Sequence, residues 1–225
     1  MVPVQGPFHR TPARPVLEPG YNCLVIKTVI FDLGRVLVDF DFMRGYRTMS
    51  ELSGLPVDEI RKRFHESGIA NEFESGAISE EEFERRTQAM LGTSMPHEQF
   101  EEIWFSVFLP GTLMPEEVVA GIRRNHRTVL LSNTNSMHFR ALKQNYGILS
   151  HFDALVLSHE VGAMKPHPAI YEAAIRAAGC RPEECFFTDD IADYVDGARR
   201  HGIDAVQFQG AETTMAELSL RGVRW

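Results

Sequence analysis

Polar side chains that could carry out chemistry follow four separate apolar runs of the sequence. In chain order they are Asp32, the pair Ser132 and Asn133, Lys165, and the pair Asp189 and Asp190. An acid, a hydroxyl group, a lysine and an acid pair could together transfer a phosphoryl group. Because each lies at the end of its own run or in the following loop, the arrangement predicts one site assembled from several strand ends.

Each side chain has a role in such a reaction. The carboxylate of Asp32 can attack phosphorus and form an aspartyl-phosphate. Asp32, Asp190 and a backbone carbonyl group can hold Mg²⁺, which prefers oxygen ligands and would offset the repulsion between carboxylate and phosphate. Ser132 can donate a hydrogen bond to a phosphate oxygen, and Lys165 can neutralise charge on the phosphate and the nucleophile.

Taken one at a time, these residues also have purely structural interpretations. An aspartate at the end of a strand commonly forms a turn or caps a helix. Ser132 and Asn133 could cap the next helix, and Lys165 could be a solvated loop residue. The negative charges of Asp189 and Asp190 could simply stabilise the N-terminus of the following helix. The order in which they occur, one group for each strand end, favours the chemical interpretation of the set.

The elements that must position these residues are predicted from short apolar runs at 23–31, 128–131, 154–158, 184–188 and 204–208. The runs are mostly continuous rather than alternating, which is typical of strands buried on both faces of a parallel sheet. Helical patterns separate the last four runs. The sequence therefore predicts an α/β fold whose core is a doubly wound, Rossmann-like parallel sheet.

The long segment between the first two predicted strands is helical in pattern. Ser79 with Glu82 forms a capping-box pattern that would open one helix. An apolar stripe at helical spacing comprises Phe100, Ile103, Trp104, Val107 and Phe108. We therefore expect an inserted α-helical cap at 41–110, a core made of 23–40 and 111–225, and a flexible Pro-rich N-terminal tail at 1–22.

Composition narrows the class of partner. The chain has 225 residues, 44% of them hydrophobic, and a formal net charge of −8, so we expect no nucleic-acid partner. No run of apolar residues is long enough for a transmembrane helix, and the start lacks the apolar segment of a secretory signal. Three cysteines without metal-ligand spacing fit a reducing cytoplasm. The expected partner is a small phosphorylated metabolite, and nothing in the sequence indicates an oligomeric state.

The order of these motifs resembles the haloacid dehalogenase superfamily, most of whose members are phosphatases. The likeness covers roughly residues 24–220. It implies that Asp32 is the nucleophile of the family's first motif. Ser132 then matches the second motif, Lys165 the third, and Asp189 with Asp190 the fourth. It also implies Mg²⁺ as the cofactor, the backbone carbonyl of Gly34 as a metal ligand, and the C1 type of helical cap.

A closer likeness is carried by "FDLGRVLVDFDF", "FESGAISEEEF", "LLSNTN" and "GAMKPHPAIYEAA". These segments resemble a bacterial subgroup that includes alpha-D-glucose-1-phosphate phosphatase, whose members also carry glycine two residues after the nucleophile. Gly34 departs from the superfamily's usual aspartate, an acid/base that typically contributes about 10²–10⁴-fold in rate. We therefore expect substrates with good leaving groups, such as sugar 1-phosphates. Alternatively, a water molecule or a cap residue takes over the role of the missing aspartate.

The segment "DDIADYVDGA" can be aligned with the fourth motif in two ways. In one alignment Asp190 is the main metal ligand, Asp189 is its neighbour, and Tyr194 stands where related sequences often have Asn or Asp. In the other, Asp189 is the ligand and Asp193 is the second acid. We favour the first alignment.

Substrate contacts are expected from the cap, within residues 61–76. His65, Glu66 and Glu74 are candidates for binding sugar hydroxyl groups, although each could be a surface residue of a cap helix. Two other functions compete with the phosphatase. In a metal-independent 2-haloacid dehalogenase, Asp32 would attack carbon, but the acid pair argues for a metal. A phosphate-binding or regulatory protein would explain Gly34, but not the other motif residues.

Overall fold

The computed structural model describes residues 25–225. Its centre is a five-stranded, fully parallel sheet with the strand order β3-β2-β1-β4-β5. The strands are β1 (Thr28–Phe31), β2 (Arg127–Ser132), β3 (Ala154–Leu157), β4 (Cys185–Asp189) and β5 (Asp204–Gln207). The predicted doubly wound parallel sheet is thereby confirmed. The first strand of the sequence lies at its centre, so Asp32 emerges at the middle of one edge.

The first strand is shorter than its apolar run suggested. Pairing begins at Thr28, which lies opposite Arg127 of β2 and Cys185 of β4. Val25 is 66% exposed, so the beginning of the run lies outside the sheet. The predictions for the tail at 1–22 and for the strand residues before position 25 fall outside the described residues.

Both faces of the sheet are covered, which explains the continuous apolar runs. Along β1, Val29 and Phe31 belong to one hydrophobic cluster, whereas Ile30 belongs to the other. Successive side chains of a strand point to opposite faces, so one short run supplies both clusters. The central strand is buried at all four positions, and this fixes the place of the residue that follows it.

Eleven α-helices are found in the described residues. Before β2 lie α1 (Phe42–Ser53), α2 (Val57–Ser67), α3 (Ile69–Glu74), α4 (Glu80–Leu91), α5 (His97–Phe105) and α6 (Glu116–Arg123). After β2 lie α7 (Ser136–Asn145), α8 (Ser158–Val161), α9 (Pro168–Ala178), α10 (Ala192–Arg200) and α11 (Ala211–Leu220). Within residues 25–225, no helix has the length and apolar character needed to cross a membrane.

Helices α1 to α5, here called the helical insertion, share a hydrophobic cluster, to which α7 adds Met137. Its centre is aromatic: the Phe83 ring lies 4.4 Å from Phe73 and 4.7 Å from Trp104. Ser79 is the N-cap of α4 and accepts a hydrogen bond from the Glu82 amide at 3.2 Å, as expected from the sequence. Five helices with a shared core suit the predicted cap at 41–110, and that domain division stays a prediction.

Two segments that run antiparallel connect the helical insertion to the sheet. The Asp41 amide donates to the Val107 carbonyl at 2.8 Å, and the Leu109 amide donates to the Asp39 carbonyl at 2.9 Å. On another side, the Ser158 hydroxyl of α8 donates to the Glu74 carbonyl at the end of α3, at 2.5 Å. These bonds join the insertion to the C-terminal edge of the sheet at two places, in addition to its contacts with α7.

Candidate active site

The predicted site residues come together at the C-terminal edge of the sheet. A cavity of about 290 Å³ is lined by Asp32, Gly34, Ser132, Asn133, Lys165 and Asp190, which follow β1, β2, β3 and β4. Asp189 ends β4 and is fully buried beside this cavity. The structure therefore brings together all seven residues predicted for the nucleophile, the phosphate site and the metal site.

Lys165 is a buried cation between two buried carboxylates. Its Nζ donates to Asp32 Oδ1 at 2.6 Å, to Asp189 Oδ2 at 2.6 Å and to the Leu131 carbonyl at 3.2 Å. Burial lowers the pKa of Lys165, but the two carboxylates raise it further, so the net shift is upward. Lys165 is thus held as an ammonium group, and its interpretation as a solvated loop lysine is wrong.

The Asp32 carboxylate is poised between opposing influences. Burial raises its pKa, the Lys165 ammonium group lowers it, and the nearby Asp189 carboxylate raises it. The net direction is upward because burial disfavours the charged form most. A divalent cation bound beside it would act in the same direction as Lys165 and hold the carboxylate ionised.

The acidic cluster fits a magnesium ion. Carboxylate oxygens of Asp32, Asp189 and Asp190 lie within 4.8 Å of one another. Asp189 already accepts from Lys165 and from the Ile191 amide, the latter at 2.9 Å. Asp190 instead lines the cavity, where burial and Asp189 raise its pKa. A further hard donor is the carbonyl oxygen of Gly34, which accepts no hydrogen bond from the described residues.

The second alignment of the fourth motif made Asp189 the ligand and Asp193 the second acid. Asp193 lies on α10 and is exposed, outside the cluster of carboxylates. Tyr194 instead lines the cavity, and its hydroxyl accepts from Asn133 Nδ2 at 3.4 Å. This arrangement favours the alignment that makes Asp190 the main ligand.

Ser132 and Asn133 do not cap the following helix. The N-cap of α7 is Asn135, whose side chain accepts from the His138 amide at 2.9 Å. Asn133 Oδ1 accepts from the Lys165 amide at 2.7 Å, and Asn133 Nδ2 donates to the Lys165 carbonyl at 3.1 Å. These two bonds join the loops after β2 and β3 and hold the backbone of Lys165 in place.

The position of the missing acid is filled by an aromatic ring. A Cβ atom at residue 34 would lie 2.7 Å from Cε1 of Phe40, which is closer than two non-bonded carbon atoms approach each other. The Arg35 guanidinium lies 4.7 Å from the centre of the same ring and donates to the Phe40 carbonyl at 2.7 Å. Nothing in the sequence distinguishes Phe40 from the other apolar residues after the first strand, so its place at the cavity could not be predicted.

Only one of the three candidate substrate residues from the helical insertion lies at the cavity. Glu74 lines it together with Asn71 and Phe42, whereas His65 lines a different cavity and Glu66 lines neither. Glu74 occupies the end of α3, where the chain turns over the sheet edge. The spacing within "RKRFHESGIANEFESG" could not distinguish the three, because their contacts depend on how α2 and α3 dock.

Similar proteins carry phosphatase names. The chain is 26% identical to D-ribitol-5-phosphate phosphatase of Bacteroides thetaiotaomicron over 87% of its own length and 98% of that protein's length. It is 31% identical to a phosphatase of Mycobacterium tuberculosis over 80% of its own length and 86% of that protein's length.

Solved structures and a family profile agree with this likeness. A haloacid dehalogenase family enzyme of Bacteroides thetaiotaomicron, solved with magnesium and inorganic phosphate, superposes with a TM-score of 0.73 at 28% identity. The superposition covers 81% of this chain and 93% of that one. The profile of haloacid dehalogenase-like hydrolases matches residues 26–202. The chain therefore belongs to the haloacid dehalogenase-like hydrolase family.

Proposed function

We propose that this hydrolase is a magnesium-dependent phosphatase of small phosphorylated metabolites. The observation that carries the proposal is the pairing of Lys165 Nζ with Asp32 Oδ1 at 2.6 Å, in a cavity that Ser132 and Asp190 also line. The phosphatase names of the relatives and the magnesium and phosphate bound to a structural neighbour support it.

In this proposal the side chains act in sequence on one phosphoryl group. Asp32 attacks phosphorus and forms an aspartyl-phosphate, which water then hydrolyses. Ser132 binds a phosphate oxygen, and Lys165 orients Asp32 and offsets negative charge on both groups. Asn133 helps to bind the phosphate and holds the backbone of Lys165 in place.

The ligands proposed for Mg²⁺ are the carboxylates of Asp32, Asp190 and Asp189, and the carbonyl of Gly34. When bound, the ion supplies neutralisation of charge between the attacking carboxylate and the phosphate. Of the four, Asp189 also fixes Lys165, so its part in the metal site is the most indirect.

The helical insertion is proposed to act as the cap that selects the substrate. Its connecting segments meet beside the cavity, and it contributes Phe42, Asn71 and Glu74 to the lining. Glucose 1-phosphate is proposed as one candidate substrate because of the subgroup likeness. D-Ribitol 5-phosphate is a second, because a relative that aligns over 98% of its length is named for it.

The test measures phosphate release from p-nitrophenyl phosphate, glucose 1-phosphate and D-ribitol 5-phosphate, with Mg²⁺ and with EDTA. We expect turnover that requires Mg²⁺ and that falls about 10³-fold or more in Asp32→Asn, because the nucleophile is lost. Asp193→Asn is the matched control: this exposed acid lies outside the cluster, so the variant should keep wild-type activity.

Two results would contradict the proposal. Metal-independent release of halide from 2-haloacids, without phosphate release, would assign the dehalogenase reaction. Binding of inorganic phosphate without turnover of any of the three substrates would assign a binding protein.

A further inference from the structure

The missing acid at position 34 leaves a chemical requirement open. When the bond between phosphorus and the leaving oxygen breaks, an alkoxide must receive a proton, and a positioned acid supplies it. Gly34 has no side chain, and the Phe40 ring occupies the space that one would need. Any replacement must therefore reach the cavity from another element.

Few ionisable groups can serve. Besides the proposed nucleophile, Lys165 and the proposed metal ligands, the ionisable side chains of residues 25–225 that line the cavity are Arg35, Glu74, His138 and Tyr194. Arg35 stays charged and pairs with Asp39 at 2.8 Å. His138 Nε2 is bonded to the Trp104 carbonyl at 3.1 Å, and burial lowers the pKa of His138 to about 4. These two are unsuited to donating a proton near neutral pH.

Glu74 differs from the other partly buried acids of the helical insertion because its carboxylate has no partner. Within residues 25–225 it makes no hydrogen bond or ion pair, whereas Glu72 of the same helix binds Arg86 at 2.7 Å. Burial raises the pKa of Glu74 to about 7. A carboxyl group in that range is present in both forms at neutral pH, as an acid/base catalyst must be.

The backbone of Glu74 is hydrogen-bonded to α8, outside the helical insertion. Its carbonyl oxygen accepts from the Ser158 hydroxyl at 2.5 Å. Two residues later, Gly76 lies so close to the His159 carbonyl oxygen that a Cβ would be 2.2 Å from it. The end of α3 is therefore held over the cavity by α8, which begins directly after β3.

We propose that Glu74 replaces the missing acid/base, an inference that rests on the proposed phosphatase function. As Asp32 attacks, the bond from phosphorus to the leaving oxygen breaks, and its electron pair takes the proton of Glu74, releasing the alcohol. The Glu74 carboxylate then takes a proton from a water molecule, and the oxygen of that water attacks the phosphorus of the aspartyl-phosphate. The bond from phosphorus to Asp32 breaks, inorganic phosphate leaves, and both carboxyl groups return to their starting states.

This assignment widens the substrate class. An enzyme with an acid in place does not need an activated leaving group, so phosphate esters of ordinary primary alcohols become substrates alongside sugar 1-phosphates. Because the acid comes from the helical insertion, the reactive arrangement exists only while α3 is seated against the sheet edge.

The test uses esters without hydroxyl groups, so that sugar recognition plays no part: p-nitrophenyl, phenyl and ethyl phosphate. For Glu74→Gln we expect kcat/KM to fall about 10²–10⁴-fold on ethyl phosphate and less than about 10-fold on p-nitrophenyl phosphate. Glu74→Asp, which keeps a carboxyl group, should recover part of the loss. Glu66→Gln is the matched control, because Glu66 is exposed and lines neither cavity.

The outcomes separate the two proposals. Equal losses of Glu74→Gln on all three esters, with wild-type turnover intact, would overturn the acid/base role and leave the phosphatase standing. A selective loss on ethyl phosphate in Tyr194→Phe instead of Glu74→Gln would also overturn it. If the wild type releases no phosphate from any ester with Mg²⁺, the proposed function fails and this inference with it. Melting temperatures of each variant show whether it is folded.

Discussion

At the scale of single residues, the wall of the cavity depends on the absence of a side chain at Gly34. The Phe40 ring occupies that space and also contacts Phe42, whose ring centre lies 4.8 Å away. Arg35 packs over the same ring. A carboxyl group cannot simply be restored at position 34, because the ring would first have to move.

This packing predicts a penalty for any side chain at position 34. Gly34→Ala should lower the free energy of unfolding by about 1–3 kcal/mol, since overpacking displaces the Phe40 ring. In a Phe40→Leu background the same substitution should destabilise the protein less, because leucine lacks the Cε1 atom that the new methyl group would meet. Denaturant unfolding of the four proteins measures the coupling, expected to exceed about 0.5 kcal/mol. Additive effects would show that the ring does not oppose the new methyl group.

The sequence could predict which strand-end residues meet, but not what faces them. Asp32, Ser132 and Asp190 follow parallel strands whose carboxyl ends share one edge, so their convergence followed from topology. Phe40 and Glu74 reach the cavity through the path of a linker and the docking of a short helix. Those are tertiary contacts, and local patterns carry no information about them.

At the scale of elements, the turn after α3 determines how the helical insertion meets the sheet. Gly76 has a φ of 71°, a conformation that favours glycine, and it touches the His159 backbone at the start of α8. Gly68, between α2 and α3, has a similar φ of 64°, but no atom of residues 25–225 lies within 4 Å of its missing Cβ. The two glycines therefore separate the cost of conformation from the cost of contact.

Substitution of these two glycines should affect activity very differently. Gly68→Ala should cost only the strain of a left-handed residue, about 1 kcal/mol, and leave kcat/KM near that of the wild type. Gly76→Ala adds a clash with the backbone and should push α3 off α8, lowering kcat/KM at least about 10-fold, since a displacement of 1 Å can cost about 10²-fold. Phosphate-release kinetics and unfolding curves test both. Equal activity in the two variants would contradict a positioning role for this contact.

The boundaries of elements also show where sequence patterns stop being informative. The apolar run before Asp32 begins well before Thr28. Strand β1 nevertheless starts at Thr28, because its neighbours β2 and β4 begin at Arg127 and Cys185. The apolar stripe predicted for α5 continues to Phe108, although the helix ends at Phe105. Strand length is set by partners and helix length by the next turn, whereas apolar runs report only burial.

At the scale of the whole molecule, His138 joins the helical insertion to the core. It is buried on α7, its ring stacks on Trp104 of α5 with centres 4.7 Å apart, and its Nε2 bonds the Trp104 carbonyl at 3.1 Å. Nδ1 lies 3.3 Å from the side-chain amide nitrogen of Asn135. A neutral ring that donates through Nε2 and accepts at Nδ1 satisfies both contacts, whereas a protonated ring would face the Asn135 amide with a second donor.

This junction should make the fold sensitive to acid. Burial lowers the pKa of His138 from 6.5 to about 4, so the unfolded chain takes up the proton first as pH falls. The contribution of His138 to stability is therefore complete above about pH 6.5 and is lost progressively toward pH 4, by about 3 kcal/mol in total. Denaturant unfolding of the wild type and His138→Gln at pH 7 and at pH 4.5 tests this.

His138→Gln should be less stable than the wild type at pH 7, because the stacked ring is lost, but its stability should fall less on acidification. His65→Gln is the matched control: this histidine is exposed on α2, away from the junction, so the variant should follow the wild type at both pH values. If His138→Gln lost as much stability as the wild type between pH 7 and pH 4.5, the acid sensitivity would have to come from other groups. Because α5 and α7 meet at this ring, protonation should loosen this junction, whereas the two linker segments and the bond from Ser158 to the Glu74 carbonyl still join the helical insertion to the sheet edge.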